Sequence, residues 1–227
     1  MDLAIVFTFV SLALFLMLSV PIGVAIGLSV VVGMTFSDML PYEFLIQKMI
    51  TSLDVFPLMA VPFFIMAGEI MQKGSMAQRL LAVSRALVGH LTGGMAHISV
   101  LTCLFYGSLS GSAPATVAAV GGIMIPAMEK EKYSKSFATA VNTAAGCLGV
   151  IIPPSVPLII YGTAAGVSVG DLFIAGVIPG LFIGFCLMIC SYLLARHYGF
   201  TGNDRRAPIK EVASTFIQAF PALMVPI

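Results

Sequence analysis

Eight residues near the middle of the chain, from Gly107 to Pro114, read Gly-Ser-Leu-Ser-Gly-Ser-Ala-Pro. Glycine and proline interrupt helices and serine caps them, so this stretch predicts a break in regular structure. It lies inside a run from 91 to 128 that contains no Asp, Glu, Lys or Arg. With 38 residues, the run is too long for one ordinary membrane span and a little short for two. The residues on either side of the break would form two helical arms that each rise about 22 Å. We therefore predict a re-entrant helical hairpin with its tip near mid-membrane.

The composition of the whole chain predicts a bilayer rather than water as its solvent. Of its 227 residues 59% are hydrophobic and only 9% are charged, with a mean hydropathy of +1.06, whereas a soluble domain carries about 25% charged residues. The formal net charge of +1 provides no basic surface for nucleic acid. A soluble enzyme, a nucleic-acid binder and a disordered chain are therefore excluded, and we predict an all-α polytopic membrane protein in the lipid bilayer. The charge-free runs are 3–37, 55–68, 91–128, 136–170 and 172–195.

A second set of helix breakers lies in the run from 136 to 170. Pro153 and Pro154 are adjacent, and adjacent prolines cannot sit inside a regular helix because each lacks a backbone donor. The sequence therefore predicts a full crossing that is unwound in its middle. A return helix should follow and end near residue 195.

Both predicted breaks end on the same local pattern, a serine followed two residues later by a proline. Ser112 and Ser155 are therefore predicted N-caps, with a proline in the first helical turn after each. Helix amino termini at mid-membrane carry about half a positive charge each and suit a carboxylate, and freed carbonyls suit a cation. Two discontinuous helices in succession thus predict a transport site. Close packing of small residues is the alternative, but it does not account for Pro153-Pro154.

Lys and Arg concentrate on the cytoplasmic side of membrane proteins, and three basic segments flank the apolar runs. Both ends of the 91–128 run are therefore predicted to be cytoplasmic. The predicted domains are scaffold helices in 1–90 with an interfacial arm helix at 38–54, the hairpin at 91–128, the discontinuous and return helices at 136–195, and a cytoplasmic linker with the start of a truncated next span at 196–227. The basic residues of these three segments are Lys73, Arg79, Arg85, Lys130, Lys132, Lys135, Arg196, Arg205, Arg206 and Lys210.

Three stretches resemble the large membrane subunit, DctM, of the tripartite ATP-independent periplasmic (TRAP) transporters. They are TSLDVFPLMAVPFFIMAGEIM at 51–71, LFYGSLSGSAPATVAAVGGIMIPAM at 104–128 and NTAAGCLGVIIPPSVPLIIYG at 142–162. The resemblance extends through nearly the whole chain but covers only the first of the family's two inverted repeats. The C-terminal half of the large subunit would then have to be supplied by further sequence or another chain.

This resemblance implies half of an elevator-type transporter in the bacterial inner membrane. The implied function is sodium-coupled uptake of an organic anion, such as a C4-dicarboxylate or a sialic acid. A periplasmic binding protein would deliver the anion, and a small four-helix membrane subunit would be a partner. The implied sodium ligands, mainly backbone oxygens, are Ser108, Gly149, Ile152 and Pro154. The expected substrate-facing residues are Ser110, Ser112 and Ser155, with Asn142 and Pro153 in support.

Two other classes of function remain open on the sequence. A membrane scaffold without transport would show no effect of ions or substrates on its stability. An intramembrane serine protease would pair Ser110 with His97, but the Gly-x-Ser-Gly form requires glycine at 108, where this chain has Ser108. His97 also precedes Ser110 by 13 residues, about 20 Å along a helix. No catalytic residue is therefore assigned.

The remaining polar and reactive residues are given structural predictions. Asp171 is expected in a turn or as a helix N-cap, and Glu69 as an interfacial anchor beside a polar loop. His90 and His97 are expected at the membrane interface rather than in a proton relay. Asn142 is expected to bond the freed carbonyls of the second break. Buried free thiols are expected at Cys103, Cys147, Cys186 and Cys190.

Overall fold

The computed structural model describes residues 2–36, 41–54, 56–73, 76–202 and 206–224. Over these residues it contains twelve helices and no strand, which agrees with the predicted all-α class. The chain divides into two compact units, Met1–Val55 and Phe56–Ile227.

The first unit is built around a pair of apolar helices. Helices α1 (Asp2–Met17) and α2 (Ile22–Thr35) pack along each other. A Cβ atom on Gly33 would overlap the Thr8 hydroxyl and lie 3.1 Å from the Ala4 carbonyl oxygen, so the glycine allows the two backbones to approach closely. Helix α3 (Tyr42–Leu53) follows and has one apolar face. Residues 38–40 of the predicted arm lie outside the described residues.

The second unit surrounds one central helix. Its elements are α4 (Phe56–Lys73), α5 (Met76–Val88), α6 (Gly94–Ser110), α7 (Ala113–Lys130), α8 (Lys135–Gly146), α9 (Leu148–Ile151), α10 (Val156–Ala165), α11 (Val169–Tyr198) and α12 (Ile209–Leu223). Helix α6 contacts α4, α5, α7, α8, α9 and α11. Of the 17 residues of α6, twelve are buried, so this helix is the core of the unit.

Two interruptions divide the long apolar runs where the sequence predicts breaks. Gly111 and Ser112 separate α6 from α7, and residues 152–155 separate α9 from α10. The segment Lys135–Ile151 together with α10 is apolar enough to cross a membrane but is bent by 42° at the second break. Among the described helices, α11 alone is long and apolar enough for an unbent span, with 30 residues.

Aromatic side chains join the connection between α7 and α8 to the end of α11. The Tyr133 ring stacks on Phe200 with centroids 4.0 Å apart, and Phe137 lies 5.5 Å from Phe200 and 5.9 Å from Tyr198. We call these four residues the aromatic cluster. This cluster packs the carboxyl end of α7, which lies away from the hairpin tip, against the residues that follow α11.

The two compact units divide at 55/56, and the predicted boundary between scaffold and hairpin at residue 90 lies within the second unit. Helix α5 buries an apolar face, which includes Leu80 and Val83, and it packs against α6. Residues 56–90 therefore belong to the same unit as the hairpin. The region 196–227, predicted as a cytoplasmic linker with the start of a next span, contains α12, which packs along α5. The Arg79 guanidinium of α5 donates to the Gln218 carbonyl oxygen of α12 at 3.1 Å.

The structure corrects the predictions for Asp171 and for two cysteines. His97 is buried within the protein at 3% exposure, because six helices enclose α6, and its position at the membrane interface stays a prediction. Asp171 lies in the first turn of α11, and the N-cap is Ser168, whose hydroxyl accepts from the Asp171 amide. Among the cysteines, Cys147 and Cys190 are exposed on the protein surface rather than buried.

The contact between the loop before α6 and helix α11 can be tested at two glycines of positive φ. Gly93 has φ +75° and a Cβ there would overlap Ala195, whereas Gly199 has φ +74° and open space around it. Gly199→Ala should cost about 1 kcal/mol from the left-handed backbone alone. Gly93→Ala should lower the melting temperature of the intact protein at least twice as far, because it adds a steric clash to the same strain. Equal losses in the two variants would contradict this packing.

Candidate functional site

The two helix breaks are in direct contact. The Val156 amide at the start of α10 donates to the Gly111 carbonyl oxygen at 3.2 Å. A Cβ atom on Gly111 would lie 2.9 Å from the Pro154 carbonyl oxygen and 3.5 Å from Ser155 Cα. Because Gly111 also has φ +59°, glycine satisfies both the backbone conformation and the close approach. The hairpin tip and the second break therefore form a single site.

A seam of glycines brings α9 against both arms of the hairpin. A Cβ atom on Gly107 of α6 would lie 2.8 Å from Gly149 Cα. A Cβ atom on Gly149 would lie 2.9 Å from the Ser112 carbonyl oxygen and would overlap the Thr116 hydroxyl. Peptide groups and the Thr116 hydroxyl therefore form the walls of this contact. We call Gly107 and Gly149 the glycine seam.

A closed ring of hydrogen bonds holds the hairpin tip. Ser110 Oγ and Thr116 Oγ1 are 2.8 Å apart, Thr116 Oγ1 lies 2.9 Å from the Ser112 carbonyl oxygen, and the Ser112 amide lies 3.4 Å from Ser110 Oγ. Each hydroxyl has one proton, so one consistent arrangement has Ser110 donating to Thr116, Thr116 to Ser112 and the Ser112 amide to Ser110. Ser110 is 5% exposed and Thr116 is fully buried. The ring thus satisfies polar groups that the break would otherwise leave unpaired.

Ser112 occupies the N-cap position of α7, but its side chain makes no capping hydrogen bond. This part of the sequence prediction is wrong. The Ser112 amide donates to the Ser110 hydroxyl, and the Ser112 side chain is half-buried. Thr116 was not predicted as a site residue. Its only signal in the sequence is its place four residues after Ser112, from which a threonine hydroxyl can bond the preceding carbonyl.

The second break leaves helical carbonyls without their usual donors. In a regular helix the carbonyls of Gly149 and Val150 would accept from residues 153 and 154, which are prolines without an N–H group. Ser155 donates to the Val150 carbonyl oxygen at 2.6 Å and its hydroxyl accepts from the Leu158 amide at 3.4 Å. Ser155 is therefore an N-cap, as predicted. The Gly149 carbonyl has no such replacement among the described residues.

The structure brings the four predicted sodium residues to one region. Ser108 directly follows Gly107, which contacts Gly149, and the Pro154 carbonyl lies against Gly111. The Ser112 amide, which would pair with the Ser108 carbonyl in a regular helix, instead donates to Ser110. Ile152 lies in the break itself and is 8% exposed. Freed, uncharged oxygens are the ligands that a hard monovalent or divalent cation takes at such breaks.

In the part of the chain that the structure describes, the hydrogen bonds and close approaches at the two breaks involve backbone, hydroxyl and apolar groups and no charged side chain. Over the described residues, no cluster of three or more His, Cys, Asp or Glu side chains is placed to hold a metal ion. Backbone and hydroxyl oxygens are therefore the chemistry available to a cation at the breaks. The donor set fits sodium better than a transition metal, which prefers thiolate or imidazole ligands.

Two neighbouring helices hold the breaks from outside. A Cβ atom on Gly68 of α4 would lie 3.6 Å from Ser110 Cα, which places α4 against the hairpin tip. On the other side, Cβ atoms on Gly176 and Gly180 of α11 would lie 2.9 Å from the Ile151 carbonyl oxygen and 2.7 Å from an Ile152 side-chain carbon. Pro153 packs at this α11 contact, with its Cδ 3.9 Å from the Gly176 position.

Asn142 supports the hairpin rather than the freed carbonyls. Its side-chain amide donates to the Ala138 carbonyl oxygen at 2.8 Å and contacts Met128 Sδ at 3.7 Å. The residue is fully buried, and its Oδ1 atom has no hydrogen-bond partner among the described residues. The prediction that Asn142 bonds the second break is therefore wrong, because α8 directs this side chain toward α7.

The geometry does not assemble a serine-protease dyad. The Ser110 hydroxyl is engaged with Thr116 and Ser112, and neither ring nitrogen of His97 has a hydrogen-bond partner in the described part of the chain. A serine nucleophile requires an adjacent base to remove its proton. The pair that the protease hypothesis requires is therefore not formed.

Comparisons with known proteins agree with the resemblance seen in the sequence. A family model described as the tripartite ATP-independent periplasmic transporter, DctM component, matches residues 9–227. The isethionate TRAP transporter permease protein DctMQ of Oleidesulfovibrio alaskensis is 43% identical over 95% of this chain and 34% of that protein. The C4-dicarboxylate TRAP transporter large permease protein DctM of Pseudomonas aeruginosa is 45% identical over 66% of this chain and 35% of that protein.

A third relative, the sialic acid TRAP transporter large permease protein SiaM of Vibrio cholerae, is 33% identical over 91% of this chain and 48% of that protein. The chain thus spans between about a third and a half of the length of these relatives. These relatives are transporter permeases rather than enzymes. The chain belongs to the DctM component family of the TRAP transporters.

Proposed function

We propose that this chain forms the first half of a permease for sodium-coupled uptake of an organic anion across the bacterial inner membrane. The observation that carries the proposal is the hydrogen bond of 3.2 Å between Val156 and Gly111, which makes two interrupted helices into one site. Membership of the TRAP family supports the same function. Irregular backbone inside a membrane protein is tolerated where it lines a cavity or is shielded by protein.

Sodium coupling is supported by the type of oxygen atoms that the breaks release. The Gly149 and Ser108 carbonyls have lost their helical donors, and the Pro154 carbonyl lies beside Gly111. These residues and Ile152 are the proposed sodium ligands. The ion would supply positive charge in a site without a basic side chain, and so could couple its own entry to that of an anion.

Binding of an organic anion is supported by two helix amino termini that begin at the same place. Helices α7 and α10 start directly after Ser112 and Ser155, and each amino terminus favours negative charge. Ser110, Ser112 and Ser155 are proposed to face the substrate. The relatives are named for isethionate, C4-dicarboxylate and sialic acid, which are all organic anions, and we propose a substrate of this class.

The remaining parts of the transporter are proposed from the family. The other half of the large subunit would supply a second hairpin and complete the pocket. A small four-helix membrane subunit and a periplasmic binding protein would be its partners. Transport by an elevator movement is proposed because the broken helices share one compact unit with the hairpin.

Sodium binding can be tested at Gly149 with Gly122 as the matched control. Sodium, relative to potassium, should raise the melting temperature of the complete transporter by about 5 °C at saturation. Gly149→Ala should abolish this rise, because its methyl group would force α9 away from Ser112 and Thr116. Gly122→Ala should retain it, since nothing lies within 4 Å of that Cβ position.

An equal effect of potassium on the unmodified transporter would contradict sodium coupling. A response to neither sodium nor a panel of organic acids would favour a scaffold without transport. Loss of the sodium response in Gly122→Ala would show that it reports general damage to α7 rather than the glycine seam.

Substrate uptake can be tested by removing one of two helix N-caps. Ser155→Ala and Ser168→Ala each remove a capping hydroxyl, at a cost of about 1 kcal/mol. Only Ser155→Ala also removes the donor to the Val150 carbonyl oxygen, which lies at the second break. In liposomes that contain the complete permease and receive loaded binding protein, sodium-driven uptake should fall about tenfold in Ser155→Ala and stay near normal in Ser168→Ala. Similar uptake in both variants would remove Ser155 from the proposed site.

A further inference from the structure

A polar cavity outside the broken-helix site lies between α5 and the start of α12. It has a volume of about 380 Å³, and its lining includes Arg85, His90, Arg206 and Glu211. Two arginines and one glutamate thus line the same cavity, and these three side chains have a formal net charge of +1. The His90 Nδ1 atom is buried and has no hydrogen-bond partner among the described residues. The cavity therefore combines positive charge with an unused polar group, as an anion site requires.

A second, apolar cavity adjoins this one. It has a volume of about 610 Å³, and Leu87, Ile209 and Val212 line it. Arg206, Ala86, Ala207 and Pro208 belong to the walls of both cavities. A charged compartment thus opens directly onto an apolar one, and Ile209 leaves 88% of its surface exposed there. This arrangement fits a ligand with an anionic head and a hydrocarbon chain.

We infer that the paired cavities bind an anionic phospholipid. The headgroup phosphate would lie between Arg85 and Arg206 with His90 as a further partner, and an acyl chain would lie along Leu87, Ile209 and Val212. The phosphodiester of a diacyl lipid carries one negative charge, which matches the excess of one positive charge, whereas a phosphate monoester carries nearly two at neutral pH. Glu211 would repel the second charge of a monoester.

The position of the cavities agrees with such a ligand. Their basic residues belong to the two segments, before residue 91 and after residue 195, that charge distribution assigns to the cytoplasmic side. Basic pockets between membrane helices on this side are suited to anionic lipid headgroups. Helix α5 packs against α6 and α12 packs against α5, so a lipid bound across α5 and α12 would support the outer wall of the hairpin unit.

The test uses the complete transporter in neutral detergent after removal of bound lipid. Phosphatidylglycerol, phosphatidylcholine, sn-glycerol 3-phosphate and inorganic phosphate are added separately, and the melting temperature is measured. Phosphatidylglycerol should raise it by about 5 °C, and the other three additives should have little effect. The double variant R85Q/R206Q should lose the rise, whereas Arg196→Gln, which removes an exposed arginine that lines neither cavity, should retain it.

Native mass spectrometry provides a second measurement that does not depend on the stability of the variants. Phosphatidylglycerol adducts should be at least tenfold less abundant on R85Q/R206Q than on Arg196→Gln. Equal adducts on the two variants would overturn the site. An equal rise with phosphatidylcholine would overturn its selectivity for anionic lipid, and an equal rise with inorganic phosphate or glycerol phosphate would assign the polar cavity to a soluble anion instead.

Discussion

The structure depends on one requirement, that backbone polar groups in apolar surroundings must find partners within the protein. An unbroken helix meets this requirement by itself, and two interrupted helices do not. The Val156 amide and the Gly111 carbonyl therefore pair with each other across the two breaks. The hydroxyls of Ser110, Thr116 and Ser155 satisfy further groups. The carbonyl oxygens of Ser108 and Gly149 are left without their helical donors at the two breaks.

Glycine makes this arrangement possible because the contacts are between backbones. At Gly107 and Gly149 a single added carbon would meet the opposing backbone at less than 3.0 Å. An alanine there would separate α9 from the hairpin and open the site to water or lipid. The absence of a side chain thus contributes as much to the geometry as the serines do, and it keeps the freed oxygens of both breaks close together.

Local chemistry made some of these features predictable from the sequence, and tertiary packing decided the others. The breaks at 107–114 and 153–157 follow from proline and glycine themselves, and Ser155 caps a helix as a serine that precedes a first helical turn is expected to do. Thr116 and the non-capping Ser112 depend on how the hairpin tip folds back on itself. The burial of His97 and the extent of the second unit depend on which helices surround α6, and hydropathy does not contain that information.

The aromatic cluster has a mechanical consequence for the hairpin. At one end the rings of Tyr133 and Phe200 tie the hairpin to the chain after α11, and at the other end Gly111 is bonded to the start of α10. A hairpin that is anchored at both ends does not swing as an independent flap. Any displacement that keeps these two anchors carries α8 through α11 with it as a single block.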